Sequence, residues 1–144
     1  MNTQALDLCL RLDQAHARLR RKLDDELGRF HGLGLADFVL LRALGDAQDA
    51  GLTAAELERP VGVQRSAVIR QVIALEKTGL VQRTAAAAGQ RRVQLRGPGR
   101  RLLQEAAETA AAICGAALAG EVWSGAADAA CIRALCESPA LELR

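Results

Sequence analysis

Leu6, Cys9, Leu12, His16, Leu19, Leu23, Leu27 and Phe30 recur at steps of three and four residues, with Arg11, Asp13, Arg18, Arg21, Asp24 and Asp25 among the positions between them. That period predicts one long amphipathic helix with a single apolar face. His31, Gly32, Leu33 and Gly34 break it. A second helical pattern runs from Ala36 to Leu44, with Phe38, Leu41 and Leu44 in register, and Gly45 to Gly51 reads as a loop.

The next segment carries sharper local signals. Thr53 and Glu56 are spaced as a capping box, in which the hydroxyl accepts from the amide three residues on and the carboxylate reaches back to the Thr amide. A short helix is expected from Ala54 to about Arg59, then a turn at Pro60 and Gly62. A longer helix follows from Gln64 to Thr78, with Val68, Val72 and Leu75 on one stripe and Gly79 as its C-terminal cap. This is helix-turn-helix spacing. Leu80 to Thr84 and Arg91 to Leu95 then alternate with period two around the small residues Ala85 to Gln90. They predict a β-hairpin with a loose tip, ended by Gly97, Pro98 and Gly99. An Ala-rich helix should cover Arg101 to Leu118, and a last one Ala126 to Glu137. No repeat or long linker divides the chain, so residues 1–144 are expected to form one domain.

Composition narrows the function classes. Half of the residues are hydrophobic and a quarter are charged, the balance of a folded chain and not of a disordered one. In the apolar C-terminal third the longest uncharged stretch lies between Glu108 and Glu121 and has 12 residues. A bilayer span needs about 20. The N-terminus has no basic segment leading into an apolar run. A cytoplasmic location without membrane contact is therefore expected, with the four cysteines reduced. Phe30, Phe38 and Trp123 are the only aromatic residues, which argues against RNA modules that stack bases on rings.

Charge adds more by position than in total. The formal net charge is +2, yet the segment from Arg59 to Arg101 holds ten basic residues and one acid, Glu76. The rest of the chain holds nine basic and sixteen acidic residues. So basic a segment in an otherwise acidic chain is an electrostatic footprint of phosphate binding, or else a solvated basic face.

Three runs then carry a resemblance: Leu52 to Leu57, Val61 to Arg70, and Leu75 to Arg83. With the hairpin and the flanking helices, they closely resemble the MarR family of bacterial transcription regulators. The resemblance implies a mainly α, winged helix-turn-helix fold with flanking long dimerisation helices. The DNA-binding lobe would cover about 35–100, and the dimerisation helices about 3–30 and 101–138. It implies a homodimer on double-stranded DNA with a pseudo-palindromic operator, and no enzymatic activity. Gln64, Arg65, Ser66 and Arg70, on the second helix of the motif, are the expected groove contacts. Arg is suited to a guanine edge, and Ser and Gln to base edges or phosphates. Arg91 and Arg92 follow the hairpin tip and are expected in the minor groove or along phosphates. The chain departs from the family where an Asp–Arg pair usually braces the wing, since those positions fall on Ala87 and Gly89. A looser wing is the expected consequence. Gln64 and Ile69 also stand where the family commonly has Ser or Thr.

The family offers two switches, a small aromatic or phenolic effector and thiol oxidation in the first helix. Leu12, His16 and Leu19 are the candidates for an effector pocket, with Arg11 or Arg18 at an edge for a carboxylate. Cys9 is the candidate redox residue. Its place among leucines, in a chain without tyrosine, is expected to keep it a buried, inert thiol. His16 and Trp123 are otherwise read as ordinary apolar-face residues. No Cys/His spacing suits a metal, and no cofactor or catalytic motif occurs. The remaining alternative is a winged helix used for protein–protein contact, which has no need of the basic segment.

Overall fold

The structure, a computed structural model, describes residues 2–85, 89–119 and 125–141. Helix α1 spans Thr3–His31 and α2 spans Leu35–Ala47, followed by a single 3-10 turn at Gln48–Ala50. Helices α3 (Ala54–Val61) and α4 (Arg65–Lys77) lead into strands β1 (Val81–Ala85) and β2 (Arg91–Leu95). Helices α5 (Gly97–Ala117) and α6 (Ala126–Cys136) follow, and a 3-10 turn at Pro139–Leu141 ends the order. The hairpin is antiparallel, with Val81 opposite Leu95 and Ala85 opposite Arg91.

The middle of the chain folds around one core. Leu27, Leu40, Leu41, Leu44, Leu57, Val68 and Val81 are fully buried, with Val72, Leu75, Val93, Leu95 and Ala106 around them. Local chemistry sets the ends of these elements. The capping box forms as the spacing predicts: the Glu56 amide donates to Thr53 Oγ1 at 3.2 Å and the Thr53 amide to Glu56 Oε2 at 2.8 Å. Helix α4 ends in a paired turn in which the Gly79 amide donates to the Glu76 carbonyl and the Leu80 amide to the Leu75 carbonyl. Gly79, at φ +78°, supplies the left-handed residue that this ending requires.

Three stretches read from the sequence as breaks are helical instead, and in the first of them α2 runs through Gly45 to Ala47 before the 3-10 turn. Helix α3 continues through Pro60 to Val61 and stops at Gly62, at φ +75°. The proline removes one amide from the last turn, and the glycine does the terminating. Gly97, Pro98 and Gly99 do not precede α5 but form its first turn. Proline suits that position because the first amides of a helix lack partners anyway. Gly99 lies against the Leu80 carbonyl so closely that a Cβ there would collide with it.

The first half of α1 differs from its expected packing. Leu23 and Leu27 are buried and Leu19 is half-buried, but residues 2–18 are all exposed. Leu6, Leu8, Leu10 and Leu12 are among them, and Leu8 is 67% exposed. Phe30, near the helix end, is 62% exposed. Cys9 and His16, expected on a buried face, are exposed too. The reason is length. With 29 residues, α1 is about 44 Å long and outruns the core that covers its C-terminal half. Helix α6 buries none of its residues, and Ile132 and Leu135 are exposed on it. Trp123 and Ala87 lie outside the described residues. Among the described residues, no helix is long and apolar enough to cross a membrane.

Candidate nucleic-acid interface

Helix α4 turns Val68, Val72 and Leu75 into the core, which leaves Ser66 and Arg70 on its outer face, both exposed. Gln71 donates to Asp37 Oδ1 of α2 at 2.9 Å and fixes the helix against the fold. Gln64 holds the N-cap position in extended geometry but makes no side-chain cap bond. Glu58 of α3 does that work. Its Oε1 accepts from the Arg65 amide at 2.9 Å, and its Oε2 accepts from Arg65 Nε and Nη2 at 3.3 and 3.1 Å. One carboxylate thus caps the helix and holds the first arginine of the expected contact set. This contact was missed in the sequence because it joins two helices. Its only signal was an acid seven positions before the arginine.

The wing is anchored at its base by contacts from both strands. Leu52 and Val93 exchange both backbone bonds, at 3.0 and 2.8 Å. Arg92 is half-buried, donates to the Gly51 carbonyl at 3.2 Å and lies 3.7 Å from Glu56 Oε2. Arg83 of β1 makes a two-bonded pair with Glu76 of α4, at 2.9 and 3.0 Å. Hydrogen bonds from Arg83 hold the Glu76 carboxyl below its ordinary range, against a smaller opposing effect of desolvation. The pair raises Arg83 in turn. Glu56 is lowered first by the Thr53 amide and also by the charge of Arg92. The base of the wing is therefore tied without the Asp–Arg pair, and Arg92 is placed in those ties. The Arg91 side chain is exposed and makes no hydrogen bond or salt bridge among the described residues, though its charge also lowers Glu76.

Space also changes the charge balance of the basic segment. Arg65, Arg83, Arg92 and Arg100 pair with Glu58, Glu76, Glu56 and Asp49. Three of those acids lie outside Arg59 to Arg101 in sequence. Arg59, Arg70, Lys77, Arg91, Arg96 and Arg101 have no salt bridge among the described residues, with Arg70 on the outer face of α4 and Arg91 on the wing. On α1, Leu12 and His16 are exposed and Leu19 is half-buried, so these three do not enclose a pocket on a single chain. A cavity of about 380 Å³ lies between α1 and the start of α2, lined by Ala17, Arg20, Arg21, Asp24, Gly34, Ala36 and Asp37. His31 shares a 2.7 Å hydrogen bond with Thr109 of α5, a link across 78 positions that periodicity does not reveal. Among the described residues, no group of three metal-ligating side chains forms.

A rigid outer helix with free polar and cationic side chains, beside an anchored hairpin, defines a winged helix-turn-helix DNA-binding protein. The MarR family model matches residues 31–92. The MarR family protein RV2887 of Mycobacterium tuberculosis, solved with p-aminosalicylic acid, is similar at 30% identity. The match covers 89% of this chain and 95% of that one, with a TM-score of 0.68. The transcriptional regulator MosR of M. tuberculosis, solved with DNA, is similar at 25% identity over 89% and 92% of the two chains, with a TM-score of 0.71. Sco3205 of Streptomyces coelicolor, a MarR family regulator solved with DNA, shares the fold at 20% identity and a TM-score of 0.83, over 95% and 88%. No curated protein matches the chain by sequence. The chain belongs to the MarR family and is a DNA-binding transcription regulator of that family.

Proposed function

We propose that this regulator is a dimeric repressor, which binds a pseudo-palindromic operator and is released by a small organic ligand. The observation that carries the DNA-binding geometry is the outer face of α4, where Ser66 and Arg70 are exposed while the opposite stripe is locked in the core. Gln64 and Arg65 enter the groove beside them, and Arg91 follows phosphates from the wing. Arg92 supports the wing from its base.

The lobe of about 35–100 reads DNA, and the helices at about 3–30 and 101–138 dimerise. Exposed Leu6, Leu8, Leu10 and Leu12 on α1, with Ile132 and Leu135 on α6, support this division. Apolar surface of that extent is covered in a stable soluble protein, and a second copy is the partner that covers both ends at once. Two recognition helices about one DNA turn apart then suit half-sites ~10 bp apart. The protein acts in the cytoplasm, without enzymatic activity, cofactor or metal.

The ligand reading draws support from the relative solved with p-aminosalicylic acid. Leu12, His16 and Leu19 supply walls only when a second chain closes over α1. Thiol oxidation at Cys9 is the second reading, favoured by the exposure of Cys9 on the single chain. One gel-shift experiment separates them, using DNA upstream of the protein's own gene with aromatic acids or with peroxide. Release by an aromatic acid and indifference to peroxide support the ligand. Release of the parent by peroxide, but not of Cys9→Ser, replaces it with oxidation.

A further inference from the structure

Ile69 is a large apolar residue at 41% exposure on the same helix as Ser66 and Arg70. It sits one turn after Arg65 and Ser66 and one turn before Val72 and Ile73, so its neighbours along the helix surface are polar or cationic on one side and apolar on the other. A cavity of about 160 Å³ opens beside it, lined by Ala54, Val72 and Val93 below and by Arg83 and Arg91 toward the wing. The fold thus leaves a branched apolar side chain uncovered, over an apolar floor, between arginines.

An occupant of this place must offer an apolar group inside an anionic frame. In the major groove one base-edge group has that character, the 5-methyl of thymine, and apolar side chains read it by contact. We infer that Ile69 is a specificity-determining residue that packs against a thymine methyl in each half-site. This rests on the DNA-binding reading above. The rise of 1.5 Å per helical residue puts that thymine within about two base pairs of the bases facing Ser66 and Arg70.

The test uses a duplex that the full-length protein selects from a random pool. Each thymine of a half-site is replaced singly by deoxyuridine, which removes only the methyl. At one position the parent should lose roughly three- to fivefold in affinity, the burial value of one methyl-sized group. Ile69→Ala and Ile69→Ser should bind thymine and uracil equally there and keep the parent's response elsewhere. Ile69 lies outside the core, and circular dichroism of both variants should match the parent. Tight, sequence-selective binding with no uracil-sensitive thymine overturns this inference alone. So does an Ile69→Ala variant that stays as sensitive as the parent. Failure to select any duplex overturns the DNA-binding geometry as well.

Discussion

Helix α4 and the first half of α1 both carry apolar residues at helical spacing, and the two sets end differently. Val68, Val72 and Leu75 of α4 are buried among Leu41, Leu57 and Val81. Leu6 and Leu12 of α1, with Cys9 and His16 on the same stripe, stay on the surface of the chain. Periodicity states that a face is apolar but not what covers it. The α4 face is covered from within, and the α1 face is left uncovered on the single chain.

The sharpest way to break this comparison is to cut into each region. Leu57 is fully buried at the helix-turn-helix, so Leu57→Ala should lower unfolding stability by about 2–5 kcal/mol at any protein concentration. Leu6→Ser should leave the lobe intact and weaken association instead, by about 1.5–3 kcal/mol per protomer. Denaturation and sedimentation across a dilution series read the two effects apart. A Leu6→Ser variant that dimerises like the parent would put the partner surface elsewhere.

The next prediction sharpens the outer face of α4. Arg70→Ala should lose about 1–3 kcal/mol on the specific operator, with thermal stability unchanged. Equal operator binding by parent and variant would mean that a different face enters the groove.

Within the wing, Arg91 and Arg92 are predicted to separate. Arg91→Ala should lower the slope of log affinity against log salt by about 0.9 per protomer, as expected for one lost phosphate contact. Arg92→Ala should weaken binding to all sequences with little change in slope, because it loosens the base held at Gly51 and Glu56. Salt titrations of both variants decide this, and a steep slope change for Arg92 alone would reverse the roles.

The smallest effect concerns acid. The Glu76 carboxyl is lowered in the folded chain, so the stabilisation from its pair with Arg83 is complete above the ordinary carboxylate range. It is lost as pH falls through the lowered value. Arg83→Gln should therefore flatten that part of the stability–pH profile while changing little at neutral pH.

Much of the lobe was legible because its signals are local. Thr53 and Glu56 declare a helix start within three residues, Gly79 declares an end, and Val68, Val72 and Leu75 declare a face. Where the same residue types serve two purposes, the pattern misled. Gly97, Pro98 and Gly99 look like a stop, yet proline is also at home in a first turn. Glu58 with Arg65, and Arg92 with Gly51 and Glu56, were illegible because each contact is made between elements whose approach only the fold defines. The expected loosening of the wing followed from two positions, Ala87 and Gly89, while the ties at the base come from residues outside that family pattern.

The grip of Glu58 on Arg65 also bears on how fast the protein finds DNA and how long it stays. Beyond the screening length of about 8–10 Å the pair is neutral, so Arg65 adds nothing to the long-range pull on an approaching duplex. On the proposed DNA-binding geometry, encounter would be driven by cations without a salt bridge, Arg70 and Arg91 among them. On that geometry, a phosphate or a guanine edge would compete with the carboxylate for the guanidinium only once the duplex is seated. Because Glu58 Oε1 also holds the Arg65 amide, the exchange leaves the helix start in place. Arrival and residence would then fall to different arginines, and a change at Arg65 is expected to appear in the dissociation rate far more than in the association rate.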